Sequence, residues 1–498
     1  MPVRPVFIVH GIGNQKKGEV LTAVVEPWVQ FLGKHLGIEN VHLEADIRPQ
    51  TGPAHATITF GDERWEIWEA YWAQSFHPLK DVRVLTWGFS TLLRQTWSIF
   101  RGFNYFSKRE PYPNPSPFVY HRRPIGWTAW VSDKLVGYLA VTLFVPLYVM
   151  SLLAASVFFV LSQLPVGAIQ PKLGEVVTKL TEALVQGPGD MAAILLSETR
   201  LASMKNELKQ LMLSKISSGP AGEPAPERAT VIAHSAGATV AFAALSDGSL
   251  WDAWDHGMPG PKEISFLTVG SSLNLAWRSD SNHPIWKRGL DPRVRWIDFW
   301  ARYDPVPHGP AAREMQAEAR GRNEGFFESV RVINLDNPFT DHVTYWGNHP
   351  EVVSRFALEI AGLSEETVAG AEEADGNLPP EREALVKAVR VALNDIQGHR
   401  IRIGAMSLLR AFVPFATLAV VTALDFATPW DTASFLGGPL LEIMLPGEQQ
   451  INGVVAWLAG VAVIAVALYA LWQFVRLWFV EPKLSKDYPA LGRGKKLG

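Results

Sequence analysis

The sequence predicts an α/β protein. It should hold a mainly parallel sheet flanked by helices, with an inserted membrane-dipping helical segment and two C-terminal transmembrane helices. Three observations predict this. Short runs rich in Val, Ile and Phe alternate with longer helix-period stretches, the pattern of strands covered on both faces. Residues 135–169 carry no charged side chain, and 406–424 and 453–475 are two further apolar stretches long enough to cross a bilayer. Finally, the apolar run Thr230 to Ile232 gives way abruptly to Ala233-His234-Ser235-Ala236-Gly237 and then to a small-residue helix pattern. That is strand, sharp turn, helix, with a serine at the corner.

In chain order, Pro5 to Val9 is an apolar strand that ends in His10-Gly11-Ile12-Gly13, and a helix follows over about 19–36. Residues 40–46, 57–60 and 64–72 read as strands, the last two joined by Gly61-Asp62-Glu63. Residues 82–100 are amphipathic, and 109–124 are proline-rich with Arg122 and Arg123, a linker by composition. After the uncharged insertion, 176–215 has a helical pattern broken at 187–189, and a Pro/Gly-rich loop leads into the elbow strand. Further strands are expected at 264–269, 294–300 and 330–335, then a helix over 350–363. Residues 364–380 are acidic with no Lys or Arg, and 381–397 is an amphipathic helix. The expected units are therefore 1–134 and 170–363 as two parts of one α/β domain, 135–169 as the insertion, 364–405 as linker and helix, and 406–498 as a transmembrane hairpin with a basic tail.

Composition narrows the function. The 498 residues exceed one compact core, and the net charge of −3 with no long basic stretch argues against nucleic acid as a partner. With no cysteine there is no thiol nucleophile, disulfide or thiolate-held metal. The first strand is expected within a few residues of Met1, so no cleaved signal peptide is expected. Positive residues flank both ends of 135–169, namely Arg122, Arg123 and Lys134, then Lys172 and Lys179. By the positive-inside bias both ends are cytoplasmic, so the segment should dip in and return. Parity requires the same, because the strands before and after it must join one sheet. The loop between 406–424 and 453–475 has acidic but no basic residues, whereas Arg400, Arg402, Arg476 and Lys483 lie outside the pair. The expectation is an inner or plasma membrane protein with its α/β domain in the cytoplasm.

Catalytic candidates emerge at strand ends. A serine forced onto a strand-to-helix corner needs small neighbours two residues away on each side, here Ala233 and Gly237. A neutral hydroxyl is a weak nucleophile, so it needs a base and a group to orient that base. Asp304, in the turn Asp304-Pro305-Val306-Pro307, is the candidate acid, with Asp298 as a mid-strand rival. His342, in Asp341-His342-Val343-Thr344-Tyr345, is the candidate base, with His308 and His349 as rivals. The turn at His10 to Gly13 admits two readings. Gly11-x-Gly13 after a strand could open a dinucleotide site with Glu44 or Asp46 as its acidic residue, but Lys16 stands where a third glycine belongs. The preferred reading is an oxyanion loop, whose backbone N–H groups face a developing negative charge.

Taken together, His10-Gly11-Ile12-Gly13, Ala233-His234-Ser235-Ala236-Gly237, Asp304-Pro-Val-Pro307 and Asp341-His-Val-Thr-Tyr345 resemble the α/β-hydrolase superfamily in its lipase and esterase branch. In outline the chain is similar to membrane-bound lipid deacylases. The motifs span about 5–363. The resemblance implies Ser235 as nucleophile, His342 as base and Asp304 as acid. It implies oxyanion donors at the backbone N–H groups of Ile12 and Ala236, with His10, Gly11, Gly13, His234 and Gly237 supporting the loop and the elbow. It implies no cofactor, and a lipid or other acyl ester as substrate. Ala233 in place of glycine and the long chain between His10 and Ser235 depart from the family pattern. A non-catalytic scaffold or dinucleotide-binding protein on the same fold is the alternative.

Overall fold

The computed structural model describes residues 3–11, 16–73, 194–217 except 196, 225–301 except 288, 327–334, 341–363 and 379–399 except 397, with Val368 and a few positions between 304 and 311. The chain divides into two compact units, 1–124 with 137–400 and 125–136 with 401–498, and every described residue belongs to the first.

Eight strands form one sheet: β1 (Val3–Val9), β2 (His42–Asp46), β3 (His55–Phe60), β4 (Glu63–Ala70), β5 (Arg228–His234), β6 (Glu263–Val269), β7 (Val294–Ala301) and β8 (Phe327–Val332). Their spatial order is β2-β3-β4-β1-β5-β6-β7-β8. From β4 to β8 all pairs are parallel; only the β2–β3 and β3–β4 pairs are antiparallel. The central strands are buried on both faces, which explains their unbroken apolar runs. Strand β2 is mostly exposed and carries Glu44 and Asp46, charges that blunt a free edge.

Helices cover both faces. On one side lie α1 (Glu19–Leu36), then α2 (Glu198–Ser217), α3 (Ala236–Leu245), α4 (Gly248–His256) and α5 (Leu273–Ser279) on the other, and α6 (Ser354–Ala361) and α7 (Pro380–Asn394) beside α1. The α1 face buries Trp28 against Trp65, edge to face at 6.0 Å, and Trp28 against Phe356. Each such ring contributes about 1.5–3 kcal/mol by leaving water. The opposite face is closed by α3, a run of small residues buried along its whole length. Helix α7 brings Leu385, Val386 and Val389 into the α1-side core.

The expectation of transmembrane helices is corrected here: among the described residues no helix is long and apolar enough to cross a membrane. The longest described helices show why. Helix α1 carries Glu26, Lys34 and His35, and α2 carries Arg200, Lys205, Glu207 and Lys209, so each has an apolar stripe rather than an apolar circumference. The segments 135–169, 406–424 and 453–475 that carried the expectation lie outside the described residues, as do 82–100 and 109–124.

Candidate active site

Ser235, Asp304 and His342 all follow the C-terminal ends of parallel strands, the usual ligand edge of an α/β sheet. Strand β5 ends at His234 and α3 starts at Ala236, leaving Ser235 alone to turn the chain. Its backbone is at φ 55°, ψ −126°, and it is the only non-glycine residue with positive φ among the described residues. Such a conformation stores about 1–3 kcal/mol and persists only where its surroundings dictate it. Here they do: the Ser235 N–H donates to the Val269 carbonyl at 3.1 Å, and its own carbonyl accepts from Ser272 N–H at 3.1 Å. Gly237 is required, because a Cβ there would sit 2.3 Å from the His10 carbonyl oxygen. Gly11 is nearly as constrained, since its Cβ would lie 2.8 Å from Ser235 Cβ. The end of β1 therefore passes directly beside the serine.

Ser235 Oγ lies 2.9 Å from His342 Nε2. On the far side of the ring, His342 Nδ1 is 2.9 and 3.0 Å from the two oxygens of Asp304. Asp304 is fully buried and also accepts from the Val306 N–H at 2.9 Å and the Tyr345 hydroxyl at 2.8 Å. The loop carrying Asp304 is pinned twice. Asn274 of α5 donates to the Pro307 and Gly309 carbonyls, and Asp298 of β7 accepts from the Ala311 N–H. Gly270, at the end of β6, leaves the necessary space. A Cβ there would meet Asp304 Oδ2 at 2.9 Å and His342 Nδ1 at 3.1 Å, and its φ of +55° disfavours a side chain anyway.

Two histidines frame the turn. His234 donates through Nε2 to the His342 carbonyl at 2.8 Å, and its ring lies 4.7 Å from that of His342. Burial, then the neighbouring His342, hold its pKa down at about 3, so it stays neutral. His10 stacks on Trp72 at 4.7 Å and donates to the Gly11 carbonyl, while Trp72 Nε1 donates to the His10 carbonyl at 2.9 Å. Both lie at the ends of β1 and β5, beside the Ser235 turn. Ala236 is the first residue of α3, so its N–H has no intrahelical acceptor and faces the corner.

The rivals are placed elsewhere. Asp298 points into the sheet, accepting from Thr268 Oγ at 2.7 Å, and burial pushes its pKa up to about 7. His349 is buried against Phe31 of α1, and burial lowers its pKa to about 4. Ile12, Gly13 and His308 lie outside the described residues. Four contributors were not among the site residues expected from the sequence: Gly270, Asn274, Ser272 and the Tyr345 hydroxyl. Tyr345 stands three residues after His342, which marks it only once the role of His342 is known. Among the described residues no three His, Asp or Glu side chains are grouped to hold a metal ion. No family model, curated protein or solved structure matches the chain.

Proposed function

We propose that the protein is a serine hydrolase of carboxylic esters that works through an acyl-enzyme, an α/β-hydrolase in its chemistry. The observation that carries the reading is the unbroken hydrogen-bond chain Ser235–His342–Asp304, with the serine held at a strained strand-to-helix corner. In the proposed sequence His342 Nε2 takes the proton as Ser235 Oγ attacks the ester carbon, and Asp304 holds the imidazolium that results. The tetrahedral oxyanion is met by the Ala236 N–H and, on this reading, by that of Ile12. Collapse expels the alcohol, which leaves with the proton from His342. Water, deprotonated by the same ring, then releases the acid and restores Ser235.

A lipid acyl ester is the proposed substrate class. In support, Val343 is 62 % exposed immediately after His342, and the half-buried rings of Tyr71 and Trp346 lie near the same strand ends, so the described rim includes an exposed aliphatic and two aromatic side chains. The alternative dinucleotide reading has less support. A dinucleotide fold places the acidic residue on the strand beside β1, whereas β4 and β3 separate β2, with Glu44 and Asp46, from β1. A fluorophosphonate probe tests the proposal. Labelling of the wild type that is lost in Ser235→Ala is the expected result; an unlabelled wild type sinks it. A series of 4-nitrophenyl esters tests the substrate class, with kcat/KM rising from acetyl to long acyl chains.

A further inference from the structure

We infer that Tyr345 is a positioning residue that sets the direction of every proton in the chain ending at Ser235. The inference rests on the hydrolase reading above and deepens it. The Tyr345 hydroxyl is buried and has two partners: the backbone N–H of Ala301, at 2.8 Å, and Asp304 Oδ2, also at 2.8 Å. A hydroxyl has one proton to donate. Because a backbone N–H can only donate, the Tyr345 oxygen must accept from Ala301, and its single proton is directed at Asp304. Burial and the charge of Asp304 hold the phenol pKa well above its ordinary value, so it remains a donor.

Consequences propagate through the carboxylate. Asp304 faces three groups: the Tyr345 O–H, the Val306 N–H and His342 Nδ1. The first two are donors, and a carboxylate that receives both is best satisfied as the anion, accepting also from a protonated Nδ1. A neutral imidazole with its proton on Nδ1 has its lone pair on Nε2, where Ser235 Oγ–H needs an acceptor. A backbone amide at the end of β7 thus fixes the tautomer of the base, and the strand itself cannot rotate to offer anything else. Tyr345 touches no reacting atom, so its effect is expected in turnover rather than in substrate binding.

The isosteric substitution Tyr345→Phe removes the donor and keeps the ring. It should lower kcat about 10–100-fold with KM changed less than about twofold. The acidic limb of the kcat/KM profile should move to higher pH, because an Asp304 carboxylate stripped of one donor stabilises the imidazolium more. The low-field Nδ1–H proton resonance of His342, which needs no turnover, should shift further downfield. In an Asp304→Ala background the same substitution should cost nothing more in kcat. An equal loss in that background, or an unmoved pH limb and resonance, would show that Tyr345 is structural only and overturn the inference. Should the phenylalanine variant fail to fold by circular dichroism, 3-fluorotyrosine at position 345 gives the opposite reading. Its more acidic phenol should shift the His342 resonance upfield, and no shift overturns the inference. A wild type with neither labelling nor ester hydrolysis refutes the hydrolase reading instead, whatever the resonance does.

Discussion

Where the strands begin, Arg4 and Arg382 share Glu63, Arg228 meets Glu263, Arg295 meets Glu359, and Arg355 bridges Glu328 and Glu359. Where they end, Asp304 faces His342, His342 faces Ser235, and His234 and Asp298 are buried without an opposite charge in hydrogen-bond contact. At the first end charge is neutralised by charge. At the second, single ionisable groups are held by neutral donors, and burial moves Asp298 up to about 7 and His234 down to about 3. At the first end burial also raises Glu359, but there neighbouring guanidinium groups oppose it. The helices add to the contrast, since α6 and α7 supply Arg355, Glu359 and Arg382 to the first end while α3 and α5 offer amides and Asn274 to the second. One sheet therefore separates what holds it together from what is available for chemistry.

The largest effects should fall at the second end and spare the first. Ser235→Ala or His342→Ala should lower kcat roughly 10⁴–10⁶-fold with melting almost unchanged. Asp304→Asn should cost roughly 10⁴-fold, because the imidazole loses the partner that fixes its tautomer. Asp298→Asn, which leaves that partner in place, should stay within about tenfold. Ester hydrolysis by the purified variants measures all four, and a larger loss in Asp298→Asn than in Asp304→Asn would reverse the assignment of the acid.

Arg355→Met reads the other end. It leaves Glu328 buried without its guanidinium and Glu359 with Arg295 alone, and removing one partner of a buried pair costs about 3–5 kcal/mol. The expected outcome is a loss of that size in denaturant unfolding with kcat of the surviving folded protein unchanged. A fall in kcat without a fall in stability would show that the two ends are not separate.

How far the sequence revealed this depended on how local each constraint was. The elbow was legible because an apolar strand, a serine and two small residues fall within a few positions, and Gly237 and His10 explain the small residue sterically. Helix α1 occupies the stretch its periodicity marked, Glu19–Leu36, and β7 begins at Val294 as its apolar run suggested. Long-range pairing was not legible. Nothing in His42–Asp46 or His55–Phe60 says that this antiparallel hairpin lies outside β4 rather than between β1 and β5. The helix expected over 381–397, set apart by an acidic stretch, packs on the nearby α6 and on α1, the second a partnership with residues some 350 positions upstream. Asp304 and Asp298 could not be separated with certainty from sequence, because the choice depends on where the chain goes after Ala301. The spanning segments were inferred from hydropathy, which reports apolar length and not the environment that receives it.

A smaller effect concerns pH. Asp298 has a folded pKa of about 7 against 3.8 as its ordinary value, raised first by burial and also by the charge of Asp304. The folded protein thus holds this proton more tightly than the unfolded chain. The stability it contributes is fully present below about pH 4 and is lost as pH rises through about 7. His349 works the other way: its pKa is lowered to about 4, so its contribution is present above 6.5 and lost as pH falls. Asp298→Asn should therefore shrink the melting difference between wild type and variant as pH rises from 5 to 8. A difference that is flat over that range would mean that Asp298 does not titrate there, and one that grows would reverse the sign of its contribution.

The smallest effect isolates the strain at the corner. Ser235→Ala and Ser235→Gly both delete the hydroxyl and its bond to His342, so both should be inactive to the same degree. They differ in the backbone. At φ 55°, ψ −126° an alanine retains the crowding that serine suffers, whereas glycine is released from it. The release is worth about 1–3 kcal/mol, offset by about 0.5–1 kcal/mol for the extra freedom of glycine in the unfolded chain. Glycine should therefore be the more stable variant by about 1 kcal/mol, a difference readable in paired denaturant titrations. At the strand starts no comparable gain is expected from glycine, since no described side chain there has a positive φ. If glycine proves no more stable than alanine at 235, the corner is not strained. Ser235 would then be held in place by its hydrogen bonds to Val269 and Ser272 at no conformational cost.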